Sequence, residues 1–277
     1  MKKDIRIIAL DLDGTTFTTD KRITEHTRKT LKKAIDAGIY VLPCTGRQLS
    51  GLPEAFLEIP GVKYAITSNG AAIVDLETGE PIYSNYMDYE LAASHMEEFL
   101  AQGAWVDAYI QGKCYIDETL VDQMELFITN PRQLEYFRKT RIPVKNLPAY
   151  IRKHKLDTEK LHMLFPTDEA LHEARAFYVK SPDFEASWAL NHNLELNAGH
   201  ADKGTALMAL ADILHIPREC TMACGDGVND LLMLKKAGFS VAMENAVPAL
   251  KEICDVVTKN NDEDGVAYAV ETYIFGN

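Results

Sequence analysis

The run Ile5-Arg6-Ile7-Ile8-Ala9-Leu10-Asp11-Leu12-Asp13-Gly14-Thr15 passes from an apolar, β-branched stretch straight into two carboxylates and a glycine. A short apolar run bounded by charged and turn residues predicts a buried strand that feeds a loop at its carboxyl end. In extended chain, Asp11 and Asp13 project to the same side while Leu12 turns into the core. Gly14 lets the chain turn sharply, so that backbone N–H groups can point inward at an anion. Ligands of open parallel sheets bind beyond the carboxyl ends of the strands, and both carboxylates are placed on that rim.

Outward from this stretch the pattern alternates. Thr24 is placed to cap a helix with Leu31, Ala34 and Ile35 on one face and Gly38 at its end, followed by the apolar run Ile39-Tyr40-Val41-Leu42, which together predict a βαβ unit. Tyr64-Ala65-Ile66-Thr67 repeats the pattern after another helical stretch. Strands are predicted again at Cys220 to Cys224, Phe239 to Ala242 and Asp255 to Thr258, with helices after Lys203, Asn229 and Val247. The alternation predicts an α/β fold with a doubly wound, Rossmann-like parallel sheet and right-handed crossovers. The middle reads differently. Trp105 to Ile110 and Cys114-Tyr115-Ile116 flank Gln111-Gly112-Lys113, and Phe184 to Leu190 and Leu194-Glu195-Leu196 flank Asn191-His192-Asn193, so both stretches read as hairpins. Residues 1–83 and 191–277 are therefore expected to form one core interrupted by an inserted α+β domain over 84–190.

Gly225-Asp226-Gly227-Val228-Asn229-Asp230 follows another predicted strand and opens a helix, which sets a second acidic cluster on the same rim. If Asp11, Asp13 and Asp226 converge, each pair of charges about 4 Å apart repels by about 4 kcal/mol at an effective dielectric near 20. One lysine does not offset that. Either a carboxylate is protonated or a divalent cation neutralises the group, and all-oxygen ligands favour Mg²⁺. Phosphoryl transfer also needs fixed donors for the non-bridging oxygens. Thr45 and Gly46, at the end of the second strand, can cup a phosphate with a hydroxyl and N–H groups. Lys203 and Asn229 are the other candidates. Arg47 reads equally as a salt-bridged arginine or a substrate contact.

Composition narrows the partners. A chain of 277 residues, 47% hydrophobic and 25% charged, folds with a sizeable core. A formal net charge of −12 repels phosphate backbones, so nucleic acid is not expected as a partner. The N-terminal apolar run is too short for a signal sequence or a membrane span. The five cysteines are odd in number and lack metal-site or redox-motif spacing, which fits a reducing cytoplasm. Cys44 and Cys224 each precede a rim loop, and buried, inert thiols are expected in preference to redox sensors. A monomer or small homo-oligomer is expected.

Four separated motifs, Asp11 to Thr15, Thr45-Gly46-Arg47, Lys203-Gly204 and Gly225 to Asp230, together resemble the haloacid dehalogenase superfamily, specifically its Cof-like phosphatases with a type IIB cap. Ser68-Asn69-Gly70-Ala71, Val241 to Ala246 and Asp264-Gly265-Val266-Ala267 extend the likeness. Thr16 departs from it, standing where such proteins usually carry leucine, as does Ala223-Cys224, where an aromatic residue commonly precedes the glycine. The resemblance implies a Mg²⁺-dependent phosphatase of small phosphate esters, sugar phosphates first among them. It implies Asp11 as nucleophile and Asp13 as the acid that protonates the leaving group and then activates water. Mg²⁺ would be held by Asp11, the backbone carbonyl of Asp13 and Asp226, with Asp230 orienting them; Thr45, Gly46, Lys203 and Asn229 would bind phosphate. An anionic neighbour should push the pKa of Asp13 upward. A phosphomutase of the phosphomannomutase type and a non-catalytic phosphometabolite sensor are the alternatives.

Overall fold

The N-terminal apolar run forms strand β1 (Ile7–Leu10), buried along its whole length. The next strands are β2 (Tyr40–Pro43), β3 (Tyr64–Thr67), β4 (Ala72–Asp75) and β5 (Pro81–Ser84). Then come β6 (Trp105–Ile110), β7 (Lys113–Asp117), β8 (Arg141–Val144), β9 (Lys160–Leu164), β10 (Phe184–Ser187) and β11 (Asn193–Ala198). The last strands among the described residues are β12 (Thr221–Gly225), β13 (Phe239–Ala242) and β14 (Val256–Val257). The structure is a computed structural model that describes residues 2–188 and 192–276.

Residues divide into two compact units: Met1–Arg47 with Leu52–Ser84 and Asp202–Asn277, and Gln48–Gly51 with Asn85–Ala201. The first unit carries a five-stranded parallel sheet in the order β14-β13-β12-β1-β2. Leu10 stands opposite Cys224 on one side and Pro43 on the other, so β12, β1 and β2 end level and their loops leave from one rim. Thr24 caps the helix Glu25–Asp36, its hydroxyl oxygen accepting the N–H of Thr27 at 3.0 Å. Leu31 and Ala34 of that helix share a core with Ile8, Leu10, Val41, Leu207, Leu210, Met222 and Val241.

The third predicted strand behaves differently from its neighbours. β3 meets the end of β2 through a single parallel bridge, Cys44 to Ile66, and otherwise pairs antiparallel with β4, which pairs in turn with β5. The cause is local. Ser68, Asn69 and Gly70 take φ values of 50°, 58° and 102°, reversing the chain at once, whereas a parallel crossover needs about a dozen residues.

The second unit is built on the sheet β10-β11-β9-β6-β7-β8, antiparallel except for the β7–β8 pair. Both hairpin pairings form. The expected domain passage at 190/191 falls on residues outside those described. β11, beyond it, pairs with β9 and β10, and the unit continues to Ala201. Val106, Ala108 and Ile110 pack with Leu161, Met163 and the helix Tyr89–Ala101. Alternation along β6 turns Trp105, Asp107 and Tyr109 to the other face, where charge is buried. The Nε of Arg141 donates to Asp107 at 2.9 Å, and its guanidinium lies 3.5 Å from the Phe137 ring centre. Lys160 pairs with Glu195 at 3.1 Å.

Burial raises the pKa of Asp107, but Arg141 and then His162 outweigh it and hold the carboxyl at about 2. A carboxylate depressed in the fold stabilises it above the unfolded value near 4, and that contribution disappears as pH falls towards 2. Arg141→Met strands the buried carboxylate and should cost about 3–5 kcal/mol at pH 7. Urea unfolding followed by tryptophan fluorescence reads this unit, since both tryptophans, Trp105 and Trp188, belong to it. Asp107→Asn in the same chain should recover much of the loss. A cost below about 1 kcal/mol for Arg141→Met would show the pair to be expendable.

Candidate active site

Because β1, β2 and β12 end level, Asp11, Thr45 and Asp226 follow neighbouring strand ends. Backbone bonds continue the ladder past the strands: the N–H of Asp11 donates to Cys224 at 3.0 Å and that of Cys44 to Leu10 at 2.7 Å. Leu12 is buried, as the alternation requires. The helix Lys203–Ile213 begins at the same rim, with Asp202 accepting the N–H groups of Gly204 and Thr205. Its first residue, Lys203, is buried. Its ammonium donates to Asp11 Oδ1 at 2.6 Å and to Asp230 Oδ1 at 2.7 Å. The other oxygen of Asp230 accepts the N–H groups of Asp226 and Gly227 at 3.0 and 2.9 Å, which shapes the turn after β12.

Asp11, Asp226 and Asp230 each offer a carboxylate oxygen within 4.8 Å of the others. Three carboxylates face one ammonium. Burial, then Asp230, pushes the pKa of Asp11 well up against the pull of Lys203. Burial likewise lifts Asp226 to about 6, although Thr15 donates a hydroxyl hydrogen bond to it at 2.7 Å. Lys203 is raised despite its burial because Asp11 and Asp230 stabilise the charge. Hard oxygen donors with excess negative charge suit a divalent cation, and the trio passes that test. Gly14, at φ 87°, runs so close that a Cβ there would lie 2.4 Å from Asp226 Oδ2. A side chain at this position would press on the carboxylate.

Asp13 stands outside this trio. Its carboxylate accepts two hydrogen bonds from Arg47 Nη2 at 2.8 and 2.9 Å, one from Arg47 Nε at 3.0 Å and one from Lys21 at 2.8 Å. Burial raises its pKa, but Arg47 and Lys21 outweigh burial and lower it, the reverse of the upward shift the acidic neighbourhood suggested. The correction follows from two cations, one of which, Lys21, carries no local signal in the sequence. Arg47 forms an ion pair with Asp13, which accords with the first of its two readings and leaves substrate contact open. Thr45 is buried and its hydroxyl oxygen accepts the N–H of Arg47 at 3.2 Å, with Gly46 between them. Asn229 is half-buried on the turn Val228–Asp230, and its side chain makes no hydrogen bond among the described residues. Thr16 donates its hydroxyl to the Asp11 carbonyl at 2.6 Å, and Asn245 donates to the Gly14 carbonyl at 2.7 Å. Both tie the first loop, and Asn245 lies within the Val241 to Ala246 motif. Cys44 and Cys224 are buried, and burial pushes both thiols up, away from the reactive thiolate.

A family model described as haloacid dehalogenase-like hydrolase matches residues 8–270. The chain belongs to this family. Two Bacillus subtilis proteins named 5-amino-6-(5-phospho-D-ribitylamino)uracil phosphatase are 31% and 29% identical to it. The first alignment covers 98% of this chain and 99% of the relative, the second 98% and 96%. The solved structure of a haloacid dehalogenase-like hydrolase from B. subtilis superposes with a TM-score of 0.85 at 29% identity, covering 96% of this chain and 99% of that one. The haloacid dehalogenase-like hydrolase described here is an enzyme of the phosphatase class. Among its described residues no helix is long and apolar enough to cross a membrane.

The raised carboxylate has a measurable sign. With Asp226 near 6 in the fold and near 4 unfolded, the native state binds more protons between those values. Stability of the protein in EDTA should therefore fall as pH rises from about 4 to about 6. Thermal melts across that window should show a shallower fall for Asp226→Asn. An unchanged slope in that variant would place the titration elsewhere.

Proposed function

We propose that this phosphatase hydrolyses small phosphorylated metabolites, sugar or polyol phosphates among them, through an aspartyl-phosphate formed on Asp11, with Mg²⁺ as cofactor. The observation that carries the reading is Lys203 reaching Asp11 and Asp230 at 2.6 and 2.7 Å beside Asp226. Asp11, the Asp13 carbonyl and Asp226 would hold the cation, and Asp230 would orient them through the N–H groups of Asp226 and Gly227. Bound there, a divalent cation would supply positive charge that keeps the carboxylates ionised and offsets the negative charge of the phosphate.

The protein's own groups do the rest. Asp11 attacks phosphorus as the ester P–O bond breaks, and Asp13 gives its proton to the leaving alkoxide. Water then attacks the phosphoryl group, Asp13 takes the water's proton, and the Asp11 carboxylate is restored. Lys203, Thr45, Gly46 and Asn229 are assigned to the non-bridging oxygens. Asp13 held by Arg47 and Lys21 is a poor proton donor, so it acts once the phosphate dianion draws those cations off. The second unit, expected over 84–190 and continuing to Ala201, is assigned the role of a cap that selects the substrate.

The substrate class draws support from the relatives, whose named substrate carries a phosphate monoester on a ribityl chain. Asp11→Asn should lower hydrolysis of para-nitrophenyl phosphate by roughly a thousandfold or more while the fold is retained. EDTA should abolish turnover and Mg²⁺ restore it. Free phosphate released from sugar and polyol phosphates separates hydrolysis from a mutase reaction. Undiminished activity in Asp11→Asn would remove the mechanism.

A further inference from the structure

The turn at Ser68–Gly70 is the most unusual stretch of backbone in the first unit. Three successive residues take left-handed φ values, which glycine and asparagine tolerate and the serine side chain at position 68 disfavours. Ser68 and Asn69 are buried, and the surroundings dictate their conformation. On one side, the N–H of Asn69 donates to the Thr45 carbonyl at 3.0 Å and that of Ser68 to the Arg47 carbonyl at 2.8 Å. In a trans peptide the carbonyl and the following N–H point opposite ways, so pinning the Thr45 carbonyl turns the Gly46 N–H away from the turn. On the other side, Gly70 lies against the start of the helix that carries Lys203. A Cβ on Gly70 would sit 2.2 Å from the Asp202 carbonyl oxygen and 2.8 Å from the Lys203 nitrogen, both backbone atoms that cannot swing aside.

We infer that the Ser68–Gly70 turn is a positioning element, which sets the distance between the Thr45–Arg47 loop and Lys203 and so the fit of the site to a phosphoryl group. The inference rests on the phosphate-binding roles proposed for Thr45, Gly46 and Lys203. It assigns work to a turn that touches no substrate itself. Its two arms reach both groups through backbone contacts, and neither arm depends on side-chain chemistry. Any residue that widens the turn moves the lysine away from the loop while leaving the strands in place.

Gly70→Ala is the direct test, read by titrating the intact protein with inorganic phosphate in Mg²⁺ buffer. Gly79→Ala is its control, since Gly79 has φ 76° with nothing within 4 Å of a built Cβ and shares only the backbone penalty. Gly70→Ala should weaken phosphate binding by about tenfold to a hundredfold and lower kcat, as sub-ångström to ångström misplacement does. Gly79→Ala should match the wild type in both. Should Gly70→Ala fail to fold, position 69 gives a second measurement. Asn69→Val, β-branched and ill suited to φ 58°, should lose phosphate affinity, and Asn69→Gly should keep it. Equal phosphate affinity in wild type and a folded Gly70→Ala, or equal defects in Asn69→Gly and Asn69→Val, would overturn the inference. Failure of the wild-type protein to bind phosphate would instead overturn the functional reading on which it rests.

Discussion

A single buried ammonium joins three stretches of chain that are far apart in sequence. Lys203 binds Asp11 at the end of β1 and Asp230 in the turn after β12, and its own helix starts on the same rim. Removing these charges from water is expensive, and only close, well-directed hydrogen bonds recover the cost. The rim is therefore fixed by electrostatics as well as by the sheet. Were Lys203 neutral or absent, the three carboxylates would face one another without its counter-charge, and protonation or a bound cation would have to relieve the repulsion.

The sheet and the ammonium divide the labour. Parallel register brings the loops level, which is a property of strand length and apolar pattern. The lysine then selects which polar groups face one another. Asp230 shows the division well, because one of its oxygens meets Lys203 while the other holds two backbone N–H groups of its own turn. A side chain used twice in this way has little freedom to move, and it passes its rigidity to Asp226.

How much of this was legible in the sequence depended on the range of the interaction. β1, β2, β12 and β13 are short apolar runs ended by turn residues, and local pattern suffices to find them. Asp11, Asp226, Asp230 and Lys203 lie at the ends of such elements, so their meeting on one rim could be anticipated. The pairing of Asp13 with Arg47 and Lys21 could not. It depends on how two loops face each other, and it reversed the expected shift of the carboxyl. The antiparallel course of β3 was announced by Asn69-Gly70, a turn signal whose weight against the βαβ pattern shows only in the backbone angles. The buried charges of the six-stranded sheet were equally hidden, since Asp107 sits in a run that reads as an ordinary strand and its partner Arg141 lies 34 positions further on.

The short segment Gln48–Gly51 clusters with the second unit although its flanks belong to the first. The N–H of Ser50 donates to the Gly112 carbonyl at 2.8 Å, at the tip of the β6–β7 hairpin. Modularity is thus less complete than the chain's linear order implies. Grafting the insert between related enzymes by cutting only at its two ends would leave this tetrapeptide behind, and the transplanted hairpin would meet a stranger's residues where its own had been.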